Sequence, residues 1–279
     1  MVTVSTMARS SSSRDISFDT DFGPARIRWD GPRATLFLGD VESSAVDTSD
    51  PTYLEFEYMQ HMDAVVSSLW GPQDRFRALH VGGAACALAC AWSSSHPQSR
   101  HVAVEVDRLL AEQVREHFPI PKAPQVKIRV GDGRAVLDGT REGSFDVIVR
   151  DAFASGMTPD HLRTVECADQ VRRALTASGV YLVNCAHGGV ANARQDVAAL
   201  QDVFPFVASI QDPKVGRGGR LGNVVALASA ADVVDVDQID RALRMLALPA
   251  RITRPADLTR WVAGTRALTD AQVGYPQAD

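Results

Sequence analysis

The sequence predicts an α/β protein built on a doubly wound, mostly parallel sheet of seven strands, preceded by a small antiparallel β-unit. Three observations carry this. Short apolar runs alternate with amphipathic helical stretches from residue 54 to about residue 210. The first run, Ala78, Leu79 and Val81, breaks at Gly82-Gly83 into an alanine-rich helix, and a second strand follows at 102–106. Late in the chain two strand-like runs, 206–210 and 223–227, follow one another with no helix between, so an antiparallel strand lies at one edge.

The elements follow in order. Residues 1–14 include a serine run and read as a disordered tail. Residues 25–29 and 34–38 form short strands around Asp30-Gly31-Pro32, a turn signal, inside a β-unit spanning 15–53. Residues 40–52 are polar and read as a loop. In 54–70, Phe56, Met59, Met62, Val66 and Leu69 recur every three to four residues, one face of a helix. A second amphipathic helix over 108–118 is closed by Pro119 and Pro121. Strands at 126–130 and 145–149 end at Gly131-Asp132-Gly133 and Arg150-Asp151. Thr158-Pro159 is expected to cap a helix running to residue 175, with Gly179 stopping it. A strand at 180–183, a helix at 190–203, the late strand pair and a helix at 235–248 complete the main domain, 54–250. Residues 251–279 form a mixed C-terminal extension.

Composition narrows the class. At 45% hydrophobic and 23% charged, the 279-residue chain is ordinary for a globular protein. A net charge of -5 with scattered basic residues argues against nucleic acid or an anionic membrane as partner. No apolar run is long enough to span a bilayer, and the N-terminus lacks a signal-peptide core. Cys86, Cys90, Cys167 and Cys185 show no zinc-ligand spacing, so a reduced, cytoplasmic chain without a metal is expected.

Ligands of such sheets bind beyond the carboxyl ends of the strands. Four strand ends deliver Gly82-Gly83, Glu105, Asp132-Gly133 and Asp151 to one edge. The glycines admit a ligand to the backbone, and Glu105, about 20 residues on, suits the hydroxyls of a ribose. Asp132 is placed to accept from an adenine amino group, with Gly133 beside it. Asp151 faces the centre, where a carboxylate holds an amine or takes its proton.

These residues resemble a family. Val81-Gly82-Gly83, Val104-Glu105-Val106-Asp107, Gly131-Asp132-Gly133 and Val149-Arg150-Asp151 look like the Rossmann-like class I fold of S-adenosylmethionine-dependent methyltransferases and related transferases. Asp50-Pro51-Thr52-Tyr53-Leu54-Glu55-Phe56-Glu57-Tyr58, Asp151-Ala152-Phe153, Pro159-x-His161-Leu162-x-Thr164 and Gly179-Val180-Tyr181-Leu182-Val183-Asn184 are similar to the spermidine synthase (polyamine aminopropyltransferase) family. The resemblance covers about residues 25–230. It implies transfer of an aminopropyl group from decarboxylated S-adenosylmethionine to a small polyamine, without a metal, and a homodimer is the assembly considered. It implies Asp151 as the central acid, Val106 beside Glu105 on the nucleoside, and Glu42, Tyr58 and Gln60 toward the amine.

The chain departs from the family pattern at three acids, where it has Ala85, Ala154 and Gln60. A dication in a cleft needs compensating charge, so these losses weigh against tight diamine binding. Two alternatives therefore stay open: a methyltransferase using intact S-adenosylmethionine, and a catalytically silent nucleoside-binding homologue. Whether the chain is an enzyme at all is part of that choice, with a transferase favoured.

Overall fold

The computed structural model describes residues 14–154, 156–215, 221–231 and 233–276. The expected disordered tail lies outside them, except Arg14, which begins the first strand. Four antiparallel strands come first: β1 (Arg14–Thr20), β2 (Gly23–Asp30), β3 (Arg33–Leu38) and β4 (Val41–Asp47), paired in that order. The loop expected at 40–52 therefore contains a strand. In β4, Ser44 is buried along with Ala45 and Val46, so small polar residues hide what is in fact an inward-facing strand.

The main domain runs α1 (Glu57–Leu69), β5 (Arg77–Val81), α2 (Ala87–Ser95), β6 (Arg100–Glu105), α3 (Arg108–His117), β7 (Val126–Val130), α4 (Gly133–Asp138), β8 (Phe145–Arg150), α5 (Val165–Ala174), β9 (Leu175–His187), α6 (Ala193–Val203), β10 (Phe206–Gln211), β11 (Gly222–Ser229) and α7 (Val236–Arg244). The extension adds β12 (Arg251–Thr253), α8 (Pro255–Val262) and α9 (Asp270–Val273). The sheet order is β12-β10-β11-β9-β8-β5-β6-β7. Strands β5 to β9 are parallel neighbours, and β11 is inserted antiparallel between β9 and β10.

Among the described residues the sheet has eight strands, not seven. The extra one, β12, pairs antiparallel with the open edge of β10 through only three residues. A run that short carries no readable alternation. The helix expected from Thr158 to residue 175 is also corrected. A single 3-10 turn at Asp160–Leu162 precedes α5, whose cap is the Thr164 hydroxyl accepting from the Cys167 amide. Strand β9 begins at once at Leu175, and Gly179 lies within it. A Cβ on Gly179 would come within 3.1 Å of the Asp146 carbonyl, so this glycine serves close strand approach.

Both faces of the sheet are buried, which is why its strands read as apolar runs. Val147, Val149, Val180 and Leu182 pack on one side against Met62 and Val66 of α1, Trp92 of α2 and Ile239 of α7. Ile148, Tyr181, Val183 and Cys185 pack on the other against Val171 of α5 and Val197 of α6. The N-terminal sheet lays Ile27, Leu36 and Val46 on α2 and α3, where Cys86 and Cys90 are core residues. No helix among the described residues is long and apolar enough to cross a membrane.

Candidate active site

The strand ends are tied laterally before any side chain is considered. The Gly82 amide donates to the Val104 carbonyl at 3.0 Å, Asp151 to Val81 at 2.8 Å and Gly131 to Glu105 at 2.9 Å. Gly82 is required here on two counts. Its φ is +90°, and a Cβ would lie 2.2 Å from the Asp151 carbonyl oxygen. Gly133 is required for close packing. Its vacant Cβ position is 2.4 Å from Val81 Cγ1, so the glycine lets α4 approach β5.

The turn after β5 is held in an unusual shape. Ala84 and Cys86 both have positive φ, 37° and 58°, which side-chain-bearing residues seldom adopt. Its amides converge on Glu105, whose Oε2 accepts from Ala84 at 3.1 Å and Gly83 at 3.4 Å, while Oε1 accepts from Asp107 at 3.1 Å. Burial pushes the Glu105 carboxyl up, and these three N–H groups pull against that shift. A carboxylate has about four acceptor positions, so one remains for a ligand hydroxyl. Val106 beside it is exposed, as is Val130 at the end of the next strand, two apolar side chains turned outward. Val130 was not singled out from sequence; an apolar residue closing an otherwise polar-ended strand was the signal available.

Asp132 is engaged on both oxygens. It caps α4 by accepting from the Ala135 amide at 2.9 Å, and its Oδ2 is 3.1 Å from His161 Nε2. His161 in turn stacks on Tyr275 with centroids 5.5 Å apart. The C-terminal segment is pinned there by Asp270, which accepts from Arg134 at 3.0 and 2.7 Å and from Thr164 at 2.6 Å. No sequence pattern linked Tyr275 to Asp132.

Asp151, at the end of β8, is the best-defined group. The Tyr58 hydroxyl donates to its Oδ2 at 2.8 Å, and the Asn184 amide donates to its Oδ1 at 2.8 Å. Tyr58 comes from α1 and Asn184 from β9, so three elements fix one carboxylate. Burial raises its pKa, and the two donors and nearby Arg150 oppose the rise. Asn184 Oδ1 is left buried without a partner. Behind Asp151, Arg150 donates to Asp196 at 2.6 Å, a partner that Arg163 shares at 3.0 Å.

Beyond Tyr58 opens a groove of about 330 Å³. Its walls carry Glu42, Glu55, Glu57 and Asp212, with His61 at its side. Glu42 lines this groove together with Tyr58, but Gln60 does not join them, because its amide donates to the Leu54 carbonyl at 2.8 Å. Glu55, Glu57 and Asp212 were not singled out from sequence. They come from the start of α1 and the end of β10, and only folding brings them to Glu42. Ala85 is fully buried among Ile27 and Leu36 and has no place in the cleft, whereas Ala154 is exposed beside it. His187 ends β9 against Trp261, just before a tight turn at Gly188-Gly189. The basic loop at 214–220 falls largely outside the described residues. No group of three or more His, Cys, Asp or Glu placed to hold a metal occurs among the described residues.

Comparison with solved structures fixes first the class and then the family. The fold is shared with human Methyltransferase-like protein 13 in complex with SAH, at 19% identity and a TM-score of 0.54 over 77% of this chain and 96% of that one. It is shared with spermidine synthase from Thermotoga maritima, at 17% identity and a TM-score of 0.58 over 94% and 87%. This is therefore a class I methyltransferase-like fold. A probable spermidine synthase from Corynebacterium glutamicum ATCC 13032 is 31% identical, with a TM-score of 0.83 over 91% of this chain and 96% of that one. The chain belongs to the spermidine synthase-like (polyamine aminopropyltransferase) family. Among curated proteins, polyamine aminopropyltransferase of Vibrio vulnificus (strain CMCP6) is 26% identical over 110 residues, a match spanning 39% of this chain and 37% of that relative. No protein-family profile matches the chain.

Proposed function

We propose that this protein is an aminopropyltransferase that moves the aminopropyl group of decarboxylated S-adenosylmethionine to an amine. The observation that carries the reading is the Asp151 carboxylate, gripped by Tyr58 and Asn184 between the Glu105 corner and the acidic groove. A relative in this fold, a spermidine synthase, is known in complex with the transition-state analogue AdoDATO, and the methyltransferase-like neighbour in complex with SAH. Both support an adenosyl co-substrate.

The chemistry divides between the two halves. The lone pair of a neutral amine attacks the propyl carbon next to sulfur. The carbon–sulfur bond breaks with its electrons passing to sulfur, and the sulfonium leaves as neutral methylthioadenosine. The amine nitrogen then sheds a proton. Asp151 is placed to receive it, and its raised pKa brings its basicity closer to that task. The unpartnered Asn184 Oδ1 offers a second acceptor for the amine, which orients the nucleophile. The carboxylates of the groove supply negative charge for an amine although Ala154 and Gln60 supply none, and so favour amine transfer over methyl transfer. Free, buried cysteines go with a reducing, cytoplasmic setting.

Asp151→Asn keeps the shape and removes the basicity. Turnover, followed as methylthioadenosine release, is expected to fall about 10²–10⁴-fold, with adenosyl affinity changing far less. Full activity in the variant would exclude Asp151 as the base.

A further inference from the structure

The groove is larger and more acidic than a short diamine requires. One end of the acceptor is occupied at Asp151, so a diamine brings a single remaining ammonium to the groove. Four carboxylates line it, from Glu42, Glu55, Glu57 and Asp212. Among the described residues, Glu42 and Glu57 have no ion-pair partner, while Glu55 accepts from Tyr53 at 2.6 Å and lies in the field of Arg33. The like charges of Glu42 and Glu57 repel one another, and ligand charge relieves that repulsion. At about 330 Å³ the groove is in the range of pockets that take drug-sized molecules, well above a four-carbon chain.

A second observation points the same way. His61 lines this groove, is 3% exposed, and its Nδ1 is buried with no hydrogen-bond partner. An unsatisfied buried nitrogen is a standing cost to the fold, and its retention is explained when a ligand supplies the missing partner. An amine N–H is such a partner.

We propose that the acceptor is a linear polyamine with at least three amino groups, its chain lying along Glu42 and Glu57 with one nitrogen bonded to His61. This rests on the aminopropyl-transfer reading for the identity of the reacting end. It adds that chain length and charge, sensed in the groove, set the choice of acceptor. The end nitrogen attacks as described above, losing its proton at Asp151, while the inner nitrogen stays protonated.

The test is calorimetry on the protein saturated with methylthioadenosine, using putrescine, spermidine and spermine as probes. Affinity is expected to rise at least about tenfold from putrescine to spermidine, as one added charge-assisted contact gives. The double variant Glu42→Gln, Glu57→Gln should flatten the series. His61→Leu should weaken spermidine about tenfold while raising Tm by about 2–4 °C, because an unpaired nitrogen is removed. His61→Gln, which keeps a polar acceptor, should retain more of the affinity. Equal affinity along the series, a series unchanged in the double variant, or no binding of any amine would overturn the proposal. A loss common to both His61 variants with lowered Tm would make His61 structural and remove it from the site. Turnover separates the two readings. Length-dependent binding with no methylthioadenosine released from the decarboxylated donor ends the transfer reading alone. Release with putrescine equal to that with spermidine ends the groove's role alone.

Discussion

Glu105 shows how one residue serves fold and ligand together. Its carboxylate collects the amides of Gly83, Ala84 and Asp107, so it holds the turn after β5, and on the proposed reading it also takes a ribose hydroxyl. Glu105→Ala should therefore weaken adenosyl ligands by at least about tenfold, since a charge-assisted bond contributes about 1.5–3 kcal/mol. Calorimetry with methylthioadenosine checks this, and equal affinity in the variant would remove Glu105 from the site. Residues of this kind were legible because they end apolar runs: Gly82, Glu105, Asp132 and Asp151 all sit at the carboxyl edge. Glu55, Glu57 and Asp212 were not, since their shared groove is made by segments distant in sequence. Asp132 sits at the strand edge, and its oxygens are shared between the α4 cap and His161.

At the scale of elements, the parallel strands were plain and the short or mixed pieces were not. Strand β4 hides behind serines, β12 is three residues long, and the turn at Asp160–Leu162 breaks what reads as one helix. Helix α9 is the least legible of all. Four residues carry no periodicity, and its place is set by the buried Arg134–Asp270 pair, with side chains 5% and 4% exposed. Burial alone would raise the Asp270 carboxyl, but the bonds from Arg134 and Thr164 hold it below the usual carboxylate range. Asp270→Asn leaves the guanidinium without its main counter-charge and should cost about 3–5 kcal/mol of unfolding free energy in urea. Adenosyl affinity should weaken as well, because Tyr275 would no longer brace His161 against Asp132. An unchanged unfolding midpoint would show that the C-terminal segment is merely laid on the surface.

For the whole molecule, the core makes stability depend on pH. His80 Nε2 lies 3.1 Å from His101 Nδ1, and His101 Nε2 lies 2.7 Å from Ser99, whose hydroxyl donates to the His96 carbonyl at 2.7 Å. Neutral rings complete this chain: Ser99 accepts from His101, and His101 accepts from His80. Burial lowers the pKa of His61 and His80 to about 4 and that of His101 well below its ordinary value. Between about pH 6.5 and 4 the unfolded chain thus binds protons that the folded chain refuses, and stability falls as pH falls. Asp63, Glu105 and Asp151, raised by burial, oppose this at the acid end. Urea unfolding at pH 7, 6 and 5 should show a declining free energy, by at most about 1.4 kcal/mol per pH unit per histidine. A flat or rising series would mean that these rings are not buried and neutral.

The fold provides the Glu105 corner, the fixed Asp151 carboxylate and an acidic groove beyond Tyr58, and the central claim is that together they move an aminopropyl group. The most direct test is the mass of the amine product after incubation with each donor in turn. With decarboxylated S-adenosylmethionine and spermidine, the amine should gain one aminopropyl unit and methylthioadenosine should appear in equal amount; with intact S-adenosylmethionine the amine should be unchanged. An amine that gains a methyl group from the intact donor, or no product from either donor, would contradict the account.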